Sequence, residues 1–360
     1  MALETVSALI ARGFNVTVAV PGPGPLIELL TRAGADVLRQ PTPVIRKSSL
    51  SLIGLFRLTG ETLSNILSSW RLLRRSRAGT VLVNTITTPL WFPLARVAGL
   101  RVACHLHEAE GTVAAPLRWA MHVPLQFCHR VIANSEYTRK VLSESSLGLA
   151  SRVVVVYNTV PGPEVVLPPR LAVDDEVRLL YVGRLSQRKG PHVAATAAGL
   201  LRDRGMNVRL DIVGSVFPGN EGYEVELRKL VSDLGISENV HFHGFQQLVW
   251  PYFADCDIVL VPSVGEESFG NTAVEAALAA RPVVASGNAG LREATSASES
   301  AELVPSNDPE AMSLAVERIA RAWDHYAAAA LTDAERVAAR FSAKTYEDSL
   351  IHTLGLVGIH

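Results

Sequence analysis

Two carboxylates, Glu267 and Glu275, stand eight positions apart in the run Glu267-Ser268-Phe269-Gly270-Asn271-Thr272-Ala273-Val274-Glu275. The apolar run Ile258 to Val261 and the pair Pro262-Ser263 come before it, so Glu267 falls on a loop at a strand's carboxyl end. That is where open α/β sheets bind ligands. Glu275 falls about two turns into the helix that Phe269-Gly270 opens. Between them, the first N–H groups of that helix lack intrahelical acceptors and point at whatever lies over the loop, a place suited to phosphate. The pair could serve as acid and base. With a phosphate cradle between them, the carboxylates have the layout expected for a sugar nucleotide.

A second constellation is Tyr181-Val182-Gly183-Arg184-Leu185-Ser186-Gln187-Arg188-Lys189-Gly190. A strand ends at Gly183, which permits close backbone approach, and Arg184 and Lys189 flank a short loop that feeds a helix. Two fixed cations at a strand's end could neutralise a diphosphate without a metal. Taken alone, the stretch reads better as a solvated basic loop; the carboxylate loop at the same sheet edge turns the balance to the binding reading. A third is His105-Leu106-His107-Glu108-Ala109-Glu110-Gly111, also at a strand end. One imidazole there could contact a sugar hydroxyl or a reacting centre. Alternate strand residues point to opposite faces, so a zinc site from His105 and His107 is disfavoured, and His105 reads as a satisfied core histidine.

Two apparent motifs carry no chemistry. Gly22-Pro23-Gly24 follows a strand, but position 27 is Ile, and Pro23 and Pro25 lack N–H groups that a pyrophosphate would need. Asp255-Cys256-Asp257 has the Asp-x-Asp form of a divalent-cation site, yet it abuts the strand Ile258 to Val261 and reads as a helix-to-strand turn.

The elements that must position these residues alternate between short apolar runs and helical-period segments, the pattern of doubly wound α/β domains. In the first half, strands are expected at Val16 to Val20, Thr80 to Val83, Arg101 to His107, Arg130 to Ala133 and Arg152 to Val156, as one parallel sheet. In the second half they are expected at Val177 to Val182, Val208 to Val213, Val240 to Phe242, Ile258 to Val261 and Pro282 to Ala285. Pro161, Pro163, Pro168 and Pro169 precede Asp174-Asp175-Glu176, so residues 161–176 read as a linker between domains 1–160 and 177–340. A last helix, 341–360, could cross back to the first domain. A cleft between two such domains is the default ligand site.

Composition excludes more than it assigns. With 34 basic and 35 acidic residues, the chain is not a general nucleic-acid binder. Three dispersed cysteines form neither a disulfide framework nor a zinc site, and a reducing cytoplasm is the expected location. The stretch Arg46 to Arg77 holds seven basic residues against Glu61. It could make peripheral contact with an anionic membrane at its inner face, or form a pair of surface helices with their Arg heads in solvent.

As a set, these motifs resemble the retaining glycosyltransferases of family 4. Glu267 to Glu275 with Phe-Gly inside resembles that family's Glu-x7-Glu, and Gly183-Arg184 to Lys189-Gly190 its Gly-Arg…Lys-Gly loop. Val131 to Glu136, Val156-Tyr157-Asn158, Val213-Gly214, His243-Gly244-Phe245 and Arg340-Phe341-Ser342 extend the similarity over nearly the whole chain. The resemblance implies a GT-B fold, an α/β architecture of two Rossmann-like doubly wound domains facing each other across a cleft. It implies transfer of a sugar from a nucleoside diphosphate to a glycan or lipid-linked acceptor, with anomeric retention and with no metal or other cofactor. By the family pattern, Gly183, Arg184, Lys189 and the Phe269-Gly270-Asn271-Thr272 backbone would hold the diphosphate. Glu275 would hold the ribose, Glu267 the transferred sugar, and His107 would lie near the reacting centre.

The chain departs from the family in two places. Thr159 stands where the family usually has Gly, and the chain begins inside the family's first helix, without the strand and Gly-rich loop that come before it. The first sheet is therefore expected to lack a central strand, with Met1 an internal or misassigned start. A sugar-nucleotide epimerase of the same architecture, or a catalytically silent nucleotide- or partner-binding module, remains the alternative reading.

Overall fold

The computed structural model describes residues 1–44, 52–145, 148–173 and 175–356, with side chains left aside at 52–59 and 61–63. The chain divides into two compact units, residues 1–159 with 343–360 and residues 160–342.

The second unit is one parallel sheet of β7 (Val177–Val182), β8 (Val208–Val213), β9 (Val240–Gly244), β10 (Ile258–Val261), β11 (Val283–Ser286) and β12 (Ala301–Val304); β1 to β6 belong to the first unit. The order across it is β12-β11-β10-β7-β8-β9. Its strands are nearly continuous apolar runs because both faces are covered, and all four residues of β10 and of β11 are buried. Leu179, Tyr181, Leu210, Ile212, Ile258 and Leu260 pack with Val193, Ala197, Met312, Val316 and Ile319 from flanking helices. The helix Pro309–Arg321 starts where Asp308 accepts a hydrogen bond from Ala311 N at 2.8 Å. Trp323 opens the next helix, Trp323–Arg340. β12 escaped the sequence reading because its four residues include Glu302 and alternate weakly.

The segment read as a linker is tied to this unit. Arg170 forks onto Asp257, with Nε to Oδ1 at 2.8 Å and Nη2 to Oδ2 at 2.6 Å, while Trp323 Nε1 donates to Arg170 O at 2.9 Å. Asp174, in the acidic part of that segment, lies outside the described residues.

The first unit contains β1 (Thr17–Val20), β2 (Asp36–Arg39), β3 (Thr80–Val83), β4 (Arg101–Leu106), β5 (Arg130–Ala133) and β6 (Val153–Val155), all in parallel pairings. The single sheet expected here is corrected: β1 and β2 form a two-stranded sheet and β3 to β6 a separate four-stranded one. The alternating pattern marks each strand but does not say which strands share a ladder, and β1 and β3 are not hydrogen-bonded neighbours. β2 was missed because Asp36 and Arg39 break its apolar run. β4 alternates as a strand should: Val102, Cys104 and Leu106 enter one core, while Ala103 joins Ile132, Val156, Tyr346, Leu350 and Leu354 on the other. The last three come from the terminal helix Ala343–Leu354, which also hydrogen-bonds the first helix, Thr5 Oγ1 to Tyr346 Oη at 2.7 Å.

The stretch Arg46 to Arg77 begins outside the described residues and continues as one helix, Leu52–Arg75, not the expected pair. Arg71, Arg74 and Arg75 are exposed on its last turns. No helix among the described residues is long and apolar enough to cross a membrane.

Candidate active site

In the second sheet, chain order runs outward from β7 in one direction and from β10 in the other, so the connections diverge between these two adjacent strands. The crevice beyond their carboxyl ends is the place where such sheets take ligands. Both motif loops emerge there, Gly183 to Gly190 after β7 and Pro262 to Gly270 after β10.

The two loops are zipped together through their backbones. Arg188 O accepts from Val264 N at 2.9 Å and from Gly265 N at 3.0 Å. Two of the crossings are tight enough to favour glycine. Gly190 is left-handed at φ +70°, and a Cβ there would lie 2.1 Å from Pro262 O. At Gly265, a Cβ would lie 2.3 Å from Arg188 Cγ. Ser186 closes the tight turn Gln187–Lys189 by accepting from Lys189 N.

This zipper builds a carboxylate site. Glu267 is 7% exposed, and its Oε1 takes Arg188 Nη1 at 2.9 Å, Lys189 Nζ at 2.9 Å and Ser263 Oγ at 3.0 Å. Arg188 Nη1 also donates to Glu266 O at 2.7 Å. Beneath, Asn288 Nδ2 donates to Ser263 O at 2.9 Å and Ser306 Oγ at 2.9 Å, and Gly290 N donates to Glu267 O at 2.9 Å. One carboxylate oxygen is thus saturated, which orients the group and leaves Oε2 to accept from a ligand hydroxyl.

The helix Asn271–Leu278 begins at Gly270 with no side-chain cap hydrogen bond, and the positive end of its dipole favours an anion there. Its start is pinned by the buried ring of Phe269, edge-on to Phe341 at 5.3 Å, and by Thr272 Oγ1 to Val182 O at 3.4 Å. On this helix, burial raises the carboxyl pKa of Glu275 above its ordinary value while Lys189 opposes the rise. Lys189 therefore acts on both carboxylates of the motif.

Arg184 differs from its neighbours: it forms no ion pair among the described residues. Its guanidinium lies 3.5 Å from the ring centroid of Phe217, and its pKa is lowered by burial and then by Arg188. The structure thus brings Gly183, Arg184, Lys189, Glu267, Phe269, Gly270, Asn271, Thr272 and Glu275 together around one sheet edge. Arg188, Ser263 and Asn288 were not given roles from the sequence. Arg188 stands beside Lys189 in a basic run, and only the crossing under Gly265 reveals that it turns inward.

His107 belongs to the first unit, just past the end of β4 rather than within it. Its ring lies 4.3 Å from that of His105, and burial, aided by the chain's amino terminus, pushes its pKa down to about 4, so it is neutral at physiological pH. The reading of His105 as a satisfied core histidine needs correction. The ring is fully buried, but neither nitrogen has a hydrogen-bond partner among the described residues, and its pKa falls well below the ordinary value. Strand alternation predicts the burial but says nothing of partners. Asp255 and Asp257 lie at the α-to-β turn and are engaged by Arg178, Arg209 and Arg170. No group of three potential metal ligands gathers among the described residues.

Residues 167–331 match the family model described as glycosyl transferases group 1, and residues 1–161 match glycosyltransferase family 4. Each half thus resembles a glycosyltransferase family model. Curated relatives include D-inositol 3-phosphate glycosyltransferases. That of Corynebacterium urealyticum is 41% identical over 36% of this chain and 32% of its own length. That of Thermobispora bispora is 28% identical over 80% and 68%. The chain spans about a third of the length of the first of these relatives. Among solved structures, Anabaena HepE in complex with UDP and glucose superposes with a TM-score of 0.79 at 21% identity, covering 99% of this chain and 96% of that one. A glycosyltransferase from Rickettsia africae superposes at 0.77 with 14% identity, covering 99% and 94%. The fold is GT-B, with two Rossmann-like parallel-sheet domains. The carboxylate and cation cluster lies within the residues that match glycosyl transferases group 1, and His107 within those that match glycosyltransferase family 4.

Proposed function

We propose that the protein is a metal-independent, retaining glycosyltransferase, which takes a sugar from a nucleoside diphosphate and passes it to a glycan or lipid-linked acceptor. The observation that carries this reading is Glu267, held on one oxygen by Arg188, Lys189 and Ser263 beside an uncapped helix start and the unpaired Arg184. The arrangement offers an acceptor for sugar hydroxyls next to donors for a diphosphate. Glu275, on the same helix, is assigned to the ribose. Anabaena HepE, of the same fold, is described in complex with UDP-glucose, which supports the donor class.

As the glycosidic bond breaks, positive charge grows on the sugar and negative charge on the departing diphosphate. Arg184, Lys189 and the helix N–H groups stabilise that leaving group, and loss of one such donor typically costs on the order of a hundredfold in rate. These fixed cations supply the neutralisation for which other transferases use a divalent ion. Retention follows if the acceptor attacks on the face the diphosphate leaves, its proton passing to the departing phosphate oxygen.

The test is turnover of UDP-, GDP- and ADP-sugars with and without EDTA, for the wild type and for Glu267→Ala and Lys189→Ala. Activity is expected to survive chelation and to collapse in both variants. Loss with EDTA and survival in the variants would overturn the mechanism. Donor conversion without acceptor would assign an epimerase instead.

A further inference from the structure

The loop after β8 carries an aromatic residue with no core to enter. Phe217 is 52% exposed and belongs to neither the strands nor the flanking helix Glu221–Asp233. The contact recorded for its ring is the guanidinium of Arg184, 3.5 Å from the centroid, close enough for the planar group to lie on the ring face. The backbone sets this meeting. Leu185 N donates to Ser215 O at 3.0 Å and Gly183 N to Val213 O at 2.9 Å, so the β7–β8 ladder continues beyond both strands. Tyr181 Oη donates to Arg184 O at 2.8 Å and fixes the arginine's main chain. Arg184 and Phe217 are therefore held on adjoining rails, with only their side chains free to choose a partner.

Arg188 and Lys189 are held by Glu267, whereas Arg184 forms no ion pair with a carboxylate among the described residues. A long cationic side chain without a partner samples many rotamers, and ordering it on binding costs affinity. An aromatic face can hold a guanidinium without consuming any of its five N–H donors, which a carboxylate would. We propose that Phe217 is a positioning residue, whose ring presents Arg184 to the diphosphate with all its donors unspent. The inference rests on the assignment of Arg184 to the diphosphate made above.

The test is calorimetric binding of UDP, with GDP and ADP alongside, to the wild type, Arg184→Ala, Phe217→Leu, Phe217→Trp and the Arg184→Ala/Phe217→Leu double variant. Phe217→Leu is expected to weaken binding of the preferred nucleotide about two- to fivefold, the scale of an exposed cation–π contact. Phe217→Trp should restore it, and the double variant should bind no worse than Arg184→Ala alone. The thermal midpoint of Phe217→Leu should stay at the wild-type value, because the ring is half exposed. Wild-type affinity in Phe217→Leu overturns the inference. So does a further loss in the double variant, which would mean that the ring touches the nucleotide itself. Undiminished binding by Arg184→Ala, or no binding by the wild type, instead overturns the assignment of the site on which the inference stands.

Discussion

Gly265 passes directly under the side chain of Arg188, so close that a methyl group at 265 would meet Arg188 Cγ at 2.3 Å. This crossing lets Arg188 reach both Glu266 O and Glu267 Oε1, and it links the loop after β7 to the loop after β10.

Gly265→Ala should therefore expel the Arg188 side chain and leave Glu267 with Lys189 and Ser263. The fold should survive, because the arginine stem can swing into solvent. Turnover should fall by about tenfold or more, in line with a lost charge-assisted hydrogen bond of about 1.5–3 kcal/mol. Arg188→Ala should lose a similar amount, and the double variant no more than either alone. Steady-state kinetics of the three proteins decides it, and fully additive losses would show that the two positions act separately.

Arg281 should matter for stability. It is 2% exposed, and its guanidinium donates to the carbonyls of Leu167, Ala279, Ala280 and Ala254 at 2.9–3.0 Å. It thereby ties the start of the second unit to two helix ends. Burial lowers its pKa, and the four carbonyls take up Nη1 and Nη2 while Nε is left with no hydrogen-bond partner among the described residues. Arg281→Ala strips partners from all of them and should destabilise the protein by about 3 kcal/mol or more. Urea unfolding followed by tryptophan fluorescence measures the loss, and a midpoint within error of wild type would refute it.

Acid should destabilise the first unit through its buried histidines. His107 and His122 are each pushed down to about 4, chiefly by burial. The unfolded chain, with histidine near 6.5, takes up protons first as pH falls, so stability is complete above about 6.5 and is lost toward 4. Each group costs up to about 2 kcal/mol at pH 5. Glu108 and Glu275 are raised by burial and work in the opposite direction. Urea midpoints from pH 7.5 to 5 should decline, and less so in His107→Gln/His122→Gln. An unchanged slope in that variant would place the titration elsewhere.

The sequence alone determined the α/β class, the strand ends that carry each motif and the grouping of Arg184, Lys189, Glu267 and Glu275. All of these follow from local rules: the period of apolar residues, the residues that open helices, and the placement of loops at the carboxyl ends of parallel strands. Tertiary structure decided which strands share a ladder, and so split the first sheet between β2 and β3. It also decided what each group touches: Arg188 and Lys189 on Glu267, Arg184 on Phe217, and His105 buried with no hydrogen-bond partner among the described residues. Such pairings depend on contacts between loops tens of residues apart, and a linear pattern does not encode which of three nearby cations meet the carboxylate. That choice was made by the space that Gly190 and Gly265 leave where the two loops cross.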